Sequence, residues 1–220
     1  MKRFILIMVV MLPSIPVLVT AQKLNGWDFG ISAELGRDYY DRDYPVEYDK
    51  YPDMRRSFQS NYSWGIGIWT ERHLNAKFSG IARINYMQKD MHPDEYGEPS
   101  RAGGWFIKEK HHHFIADIGG RWYINPNSTI KTFIDLKAGV YGFMAIDIYE
   151  SQNGKRTNRS LYGYNRWQPL ALAAAGVTWK RLALSLEYST DLKRAEKRAY
   201  ETSILRQGIT VKAAFTVIKP

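Results

Sequence analysis

Ile130-Lys131-Thr132-Phe133-Ile134-Asp135-Leu136-Lys137-Ala138-Gly139-Val140-Tyr141 is the stretch that decides the fold. Its even-numbered residues, Ile130, Thr132, Ile134, Leu136, Ala138 and Val140, are apolar or β-branched. Its odd-numbered residues are Lys131, Phe133, Asp135, Lys137, Gly139 and Tyr141. A repeat of two places these sets on opposite faces of a β-strand. One face asks for an apolar environment, and the other carries charge, glycine and aromatic rings.

The same alternation recurs on both sides of this stretch. Upstream it runs through Trp27–Gly36, Tyr62–Glu71, Phe78–Met87 and His113–Trp122; downstream it runs through Trp167–Trp179, Leu182–Ser189 and Ile209–Val217. Eight such segments are an even number, and most approach the roughly 9–11 residues with which a tilted strand crosses a bilayer. The connections are sorted as well. Gly36–Asn61, Lys89–His112, Asp147–Asn165 and Thr190–Leu205 are long, whereas His73–Lys77, Asn125–Thr129 and Lys180–Arg181 are short. Long and short connections alternate strictly, as in an up-and-down antiparallel barrel with two unlike rims. The sequence therefore predicts an all-β, eight-stranded antiparallel up-and-down transmembrane β-barrel.

Period-two patterning is shared with soluble lipocalin-like barrels, which are apolar inside. Two features favour lipid outside. Aromatic residues stand at the ends of the apolar set: Trp27, Trp122 and Trp179 at the short-turn rim, and Tyr62, Trp64, Tyr86, Trp167 and Tyr188 at the long-loop rim. Amphipathic rings favour the two lipid–water interfaces, so these residues are expected to form a pair of girdles. The other set mixes glycine with charges of both signs: Asp28, Glu34, Glu71, Arg83, Asp117, Arg121, Lys131, Asp135, Lys137, Glu187 and Lys212. An eight-stranded barrel is just wide enough inside for its own side chains. These charges are expected to pair across a narrow lumen and plug it.

The bulk composition agrees with this reading. The 220 residues suit a single barrel domain, and aromatics reach 14%, with 15 Tyr and 7 Trp. The one long apolar run is N-terminal. Basic Met1-Lys2-Arg3 precedes apolar Phe4–Leu12, and the small residues of Val19-Thr20-Ala21 precede Gln22. This predicts a signal peptide over residues 1–21, cleaved after Ala21, and a barrel domain over 22–220. With no cysteine in the chain, pairing and packing alone must hold the fold. A net charge of +9 on an exported chain suits anionic lipid or lipopolysaccharide phosphates rather than nucleic acid.

The leader, the eight amphipathic strands and the four long loops together resemble the small outer-membrane β-barrel proteins of Gram-negative bacteria. These include OmpA-like and OmpX-like barrels and the Bacteroidetes outer-membrane β-barrel domain proteins. The resemblance covers the whole mature chain and rests on pattern rather than on a signature motif. It implies outer-membrane lipids, lipopolysaccharide and the assembly machinery as partners, with extracellular loops and periplasmic termini. Many members of the group end on an aromatic residue. This chain ends Val217-Ile218-Lys219-Pro220, and its last aromatic is Phe215.

Some barrels of this size are rim-sited lipid enzymes, which need a serine beside a histidine, or carboxylates with a histidine. His73 is followed by Leu74 and Asn75, so a His-x-Ser pair is absent. The expectation is a protein that is not an enzyme and has no cofactor and no metal. His111 and His113 share a face and could hold a transition metal, but the preferred reading is an ordinary polar strand end. The first long loop holds Asp38, Asp41, Asp43, Glu47, Asp49 and Asp53 among tyrosines and nearly balancing bases, and reads as a solvated or self-packed loop. In the last, Lys193, Arg194, Lys197 and Arg198 could meet lipopolysaccharide phosphates. The functional expectation is a barrel serving envelope integrity, surface contact or a larger envelope or secretion machine. The alternatives are a rim-sited lipid enzyme, a narrow pore, or a soluble periplasmic lipocalin-like binding barrel.

Overall fold

The structure is a computed structural model that describes residues 26–43, 59–92, 107–150, 156–159, 167–193, 195–197 and 202–219. The expected leader and its expected cleavage point lie outside these residues. Ten strands follow in chain order: β1 (Trp27–Asp43), β2 (Gln59–His73), β3 (Phe78–His92), β4 (Ile107–Tyr123), β5 (Ile130–Glu150), β6 (Arg156–Arg159), β7 (Trp167–Trp179), β8 (Leu182–Asp191), β9 (Ala195–Lys197) and β10 (Thr202–Ile218). Eight of them pair antiparallel in the order β1-β2-β3-β4-β5-β7-β8-β10, and β10 pairs back onto β1. The sheet is closed. β6 adds to β5 and β9 to β10, both on the long-loop side.

Register fixes the barrel's shape. From Trp27, successive partners are Arg72, Gly80, Gly120, Leu136, Ala173, Tyr188 and Ile209, and the circuit returns to β1 at Arg37, ten residues farther on. Eight strands with that stagger tilt by roughly 35–45° and leave room inside only for side chains.

The short turns are built locally. Asn75 Oδ1 accepts hydrogen bonds from the backbone N–H of Lys77 and Phe78, each at 2.9 Å. Asn125 accepts from the Thr132 N–H and donates to the Ile130 carbonyl. Asparagine thus supplies the turn hydrogen bonds that the ladder cannot. Between β7 and β8, Lys180 takes the left-handed conformation, φ 55°, that a two-residue hairpin turn uses.

Side-chain burial is inverted relative to a soluble barrel. Leu136 is 67% exposed and Ile118 69%, while Arg83 and Asp117 are each 4% exposed. The exposed apolar residues form a continuous outer belt that includes Ile31, Leu35, Ile66, Ile68, Ile84, Leu184, Leu186 and Val211. On β7, Trp167 and Trp179 both face outward, twelve residues apart, which spans roughly 30 Å along the axis of a tilted strand. That length suits an apolar band of about 25 Å with aromatic rings at its borders. A closed barrel that is charged inside and apolar outside satisfies every strand's backbone while presenting hydrocarbon to hydrocarbon.

The strands run farther toward the long-loop side than the sequence reading placed them. β1 continues past Gly36 to Asp43, β4 begins at Ile107, and β5 continues to Glu150. A bulge between His112 and His113, opposite the 143–145 segment of β5, lets the β4–β5 ladder continue. β6 and β9 were not anticipated. One consequence is a correction: Asp38 is not a solvated loop acid but a buried side chain on the inner face of β1. Glu47, Asp49, Asp53, Arg194 and Arg198 lie outside the described residues, as do the side chains of Asp41, Asp43 and Lys197.

Candidate functional site in the barrel lumen

The lumen holds three charge layers stacked along the axis. The middle layer is a ring. Going round the barrel, Glu34 comes from β1, Arg83 from β3, Asp117 from β4, Lys137 from β5, Glu187 from β8 and Lys212 from β10, so acid and base alternate. Arg83 donates to Asp117 at 2.7 Å, to Glu187 at 2.9 Å and to Glu34 at 3.4 Å. Lys137 donates to Glu187 at 2.5 Å, and its Nζ lies 3.6 Å from Asp117. Lys212 donates to Glu187 at 2.9 Å and stands 3.6 Å from Glu34. All six side chains are buried, and each is held to at least two partners of opposite charge. Glycine makes the space: a Cβ at Gly139 would stand 2.8 Å from Asp117 Cβ.

The second layer lies toward the short turns. Arg121 forms a two-pronged pair with Asp135, at 2.8 and 2.9 Å, and donates to Glu71 at 2.9 Å. Its guanidinium lies over the Phe133 ring at 3.8 Å. The Tyr123 hydroxyl donates to the other Glu71 oxygen at 2.7 Å. At the rim, His73 Nε2 is 3.1 Å from Asp28 and its Nδ1 3.0 Å from Ser79 Oγ. Lys131 stands apart. It is half-buried, its ammonium lies 5.6 Å over the Tyr123 ring, and it pairs with no carboxylate among the described residues.

The third layer lies toward the long connections, and the sequence reading missed it. Asp38 bonds both Lys89 and Arg206, the latter at 3.2 Å, and Arg206 also reaches Asp191 at 3.2 Å. Lys89 and Arg206 both stack on the Tyr141 ring, at 4.6 and 4.7 Å. The Tyr141 hydroxyl meets His113 Nε2 at 2.7 Å. His111 and His113 are both fully buried inside the barrel, packed edge-on against Phe143. A shelf of Met87, Ile115, Tyr141, Leu170 and Leu172 separates this layer from the ring. Continued parity was the available signal: Asp38 follows Asp28 and Glu34, Lys89 follows Arg83, Asp191 follows Glu187, and Arg206 precedes Lys212, each at an even spacing.

The aromatic residues expected to form girdles all lie on the outer face. Tyr62, Trp64, Trp122, Trp167, Trp179 and Tyr188 are exposed, while Trp27 and Tyr86 are partly covered. Trp122 stacks on Phe78 at one rim, and Trp64 meets Tyr86 edge-on at the other. Beside Tyr86 stands a hydrogen-bonded chain that the sequence spacing hid. The Tyr86 hydroxyl lies 2.5 Å from His112 Nδ1, and His112 Nε2 lies 3.3 Å from Asp147.

This is the architecture of a small transmembrane β-barrel. No family model matches the chain, and no curated protein matches it. Among solved structures it is similar to Neisserial surface protein A, with 8% identity, TM-score 0.47, and 87% of this chain and 99% of that one covered. It is similar to the outer membrane protein OprG of Pseudomonas aeruginosa, with 8% identity, TM-score 0.46, and 87% and 97% covered. A third is Ail, the attachment invasion locus protein of Yersinia pestis, with 11% identity, TM-score 0.44, and 87% and 100% covered. At these values the barrel assignment rests on this chain's own β1–β10 closure and inverted polarity.

Proposed function

We propose that this protein is a non-enzymatic barrel of a Gram-negative outer membrane, serving envelope integrity, surface contact or a larger envelope machine. The short turns and chain ends face the periplasm, and the long connections face outside. Outer-membrane lipid and lipopolysaccharide surround the apolar belt. The observation that carries this reading is the alternating six-membered ring, which closes the lumen with side chains bound to one another. A pore needs unpaired, hydrated walls, and large porins reach that with about 16–18 strands. Planar-bilayer recording of the purified protein tests the reading: a silent bilayer is expected, and steady single-channel currents would contradict it.

A second reading, a rim-sited lipid enzyme, is favoured by the Tyr86–His112–Asp147 chain. Asp147 accepting from His112 Nε2–H would leave Nδ1 to take the Tyr86 proton, the logic of an oriented base beside a nucleophile. Fatty-acid release from outer-membrane lipid by wild type, lost in Tyr86→Phe, would favour this enzyme; its absence would leave Tyr86 as a girdle residue.

A further inference from the structure

The short-turn rim carries its charge unevenly. Lys180 and Arg181 make the turn between β7 and β8, and Lys219 follows the end of β10. Arg72 pairs in register with Trp27 at the β1–β2 edge, and Lys77 stands in the turn before β3. All five side chains are exposed. Because β7, β8, β10, β1, β2 and β3 are consecutive around the closed sheet, these cations form one arc. Local bonds hold part of it. The Thr216 N–H donates to the Arg181 carbonyl at 2.8 Å, and the Arg181 guanidinium donates to the Val217 carbonyl at 3.4 Å, which sets the β7–β8 turn beside the end of β10. The rest of the rim is different. The turn from Asn125 to Thr129 has no charged residue, and Lys131 lies half-buried over the Tyr123 ring. Among the described residues, the acids at this end are Asp28 and Glu71, both buried and turned inward to His73 and Arg121. The arc therefore faces outward with no carboxylate of its own among the described residues.

Two of these cations are tied to the aromatic border of the apolar belt. The Lys180 ammonium lies 5.0 Å over the Trp179 ring, and the Arg72 guanidinium lies 5.5 Å over the Trp27 ring. Exposed Leu182 and Val217 continue the belt immediately beside the arc. Long cationic side chains at such a border keep their stems on apolar surface and their charges at headgroup depth. The lipid whose chains cover Leu182 and Val217 therefore places its phosphate among these charges. A zwitterionic headgroup brings an ammonium that the arc repels, whereas an anionic headgroup brings net negative charge that the arc attracts. We propose that this arc is a binding surface for anionic phospholipid, which it gathers on the β7–β3 side of the barrel and not beside the neutral β4–β5 turn. That the lipid belongs to the periplasmic leaflet rests on the reading that the short turns face the periplasm.

The test is electron paramagnetic resonance of spin-labelled phosphatidylglycerol and spin-labelled phosphatidylcholine around the full chain in phosphatidylcholine bilayers. The fraction of each probe immobilised on the protein gives their relative affinity. The wild type should prefer phosphatidylglycerol by about two- to fivefold at low salt, and molar salt should bring the ratio close to one. A triple variant, Lys77→Gln, Lys180→Asn and Lys219→Gln, should lose most of the preference while keeping the wild-type unfolding midpoint; asparagine suits the left-handed backbone at position 180. Lys193→Gln, on the long-loop side, should keep the preference. Equal affinity for the two probes in the wild type would overturn the proposal, as would a preference that survives in molar salt or in the triple variant. Orientation is read separately, by an impermeant thiol reagent on intact cells carrying Lys180→Cys. Labelling there would overturn the periplasmic placement and leave the headgroup preference measured in bilayers standing.

Discussion

The middle ring and the short-turn layer contain the same kinds of group but depend on their partners to different degrees. In the ring, Arg83 is shared by three carboxylates, Glu187 by three cations, and no member lies near a rim. In the short-turn layer, Arg121 has two carboxylates, and the chain of contacts ends at His73, whose side chain is 36% exposed. Water can reach one end of that layer and replace a lost partner. In the ring a lost partner leaves charge behind in a low-dielectric interior, where breaking a buried pair is far more costly than the pair's net contribution. Closure of the lumen belongs to the ring, and tolerance to change belongs to the rim.

The largest effect is expected from Arg83→Ala. It leaves Glu34, Asp117 and Glu187 facing only Lys137 and Lys212, and should cost at least about 3–5 kcal/mol of stability, read as a lower denaturant midpoint for unfolding from lipid or detergent. A shift as small as that of a surface substitution would erase the contrast between the two layers. Asp135→Ala should cost less, about 1.5–3 kcal/mol, because Arg121 keeps Glu71 and the Phe133 ring. If Asp135→Ala proved worse than Arg83→Ala, the ring would not be the more interdependent layer. His73→Ala should cost only about 1 kcal/mol, since His73 itself is exposed at the rim and solvent can take its place beside Asp28. A larger loss would mean that the rim is sealed.

Strict alternation in residues 130–141 was enough to read the strands, because a two-residue period with glycine and charge on one face has few other solutions. The inward charges from Asp28 to Lys212 were legible by the same parity. Their division into layers was not. It depends on the ten-residue stagger around the barrel, which sets which residues of distant strands share a height, and no local pattern carries that number. Asp38, Lys89, Asp191 and Arg206 were hidden by a different cause. They lie where tyrosines and charges crowd the strand ends, and such composition reads as loop although the parity continues. Lys131 shows the converse: its parity is inward, but its place at the rim gives it Tyr123 and water instead of a carboxylate. The Tyr86–His112–Asp147 chain joins three strands across the bulge after His112, so no spacing in the sequence could reveal it.

The central claim is the inversion of polarity, with lipid against the even face of β5 and a packed, charged lumen against the odd face. Because the chain has no cysteine, single cysteines can be introduced at each of residues 130–141 and spin-labelled without background. Accessibility to oxygen, which concentrates in hydrocarbon, and to a water-soluble nickel chelate is then measured for the protein in bilayers. Positions 132, 134, 136, 138 and 140 should be open to oxygen and closed to nickel, and positions 133, 135, 137, 139 and 141 closed to both. Nickel reaching Leu136 and its even neighbours would show that face in water, and would contradict the transmembrane barrel.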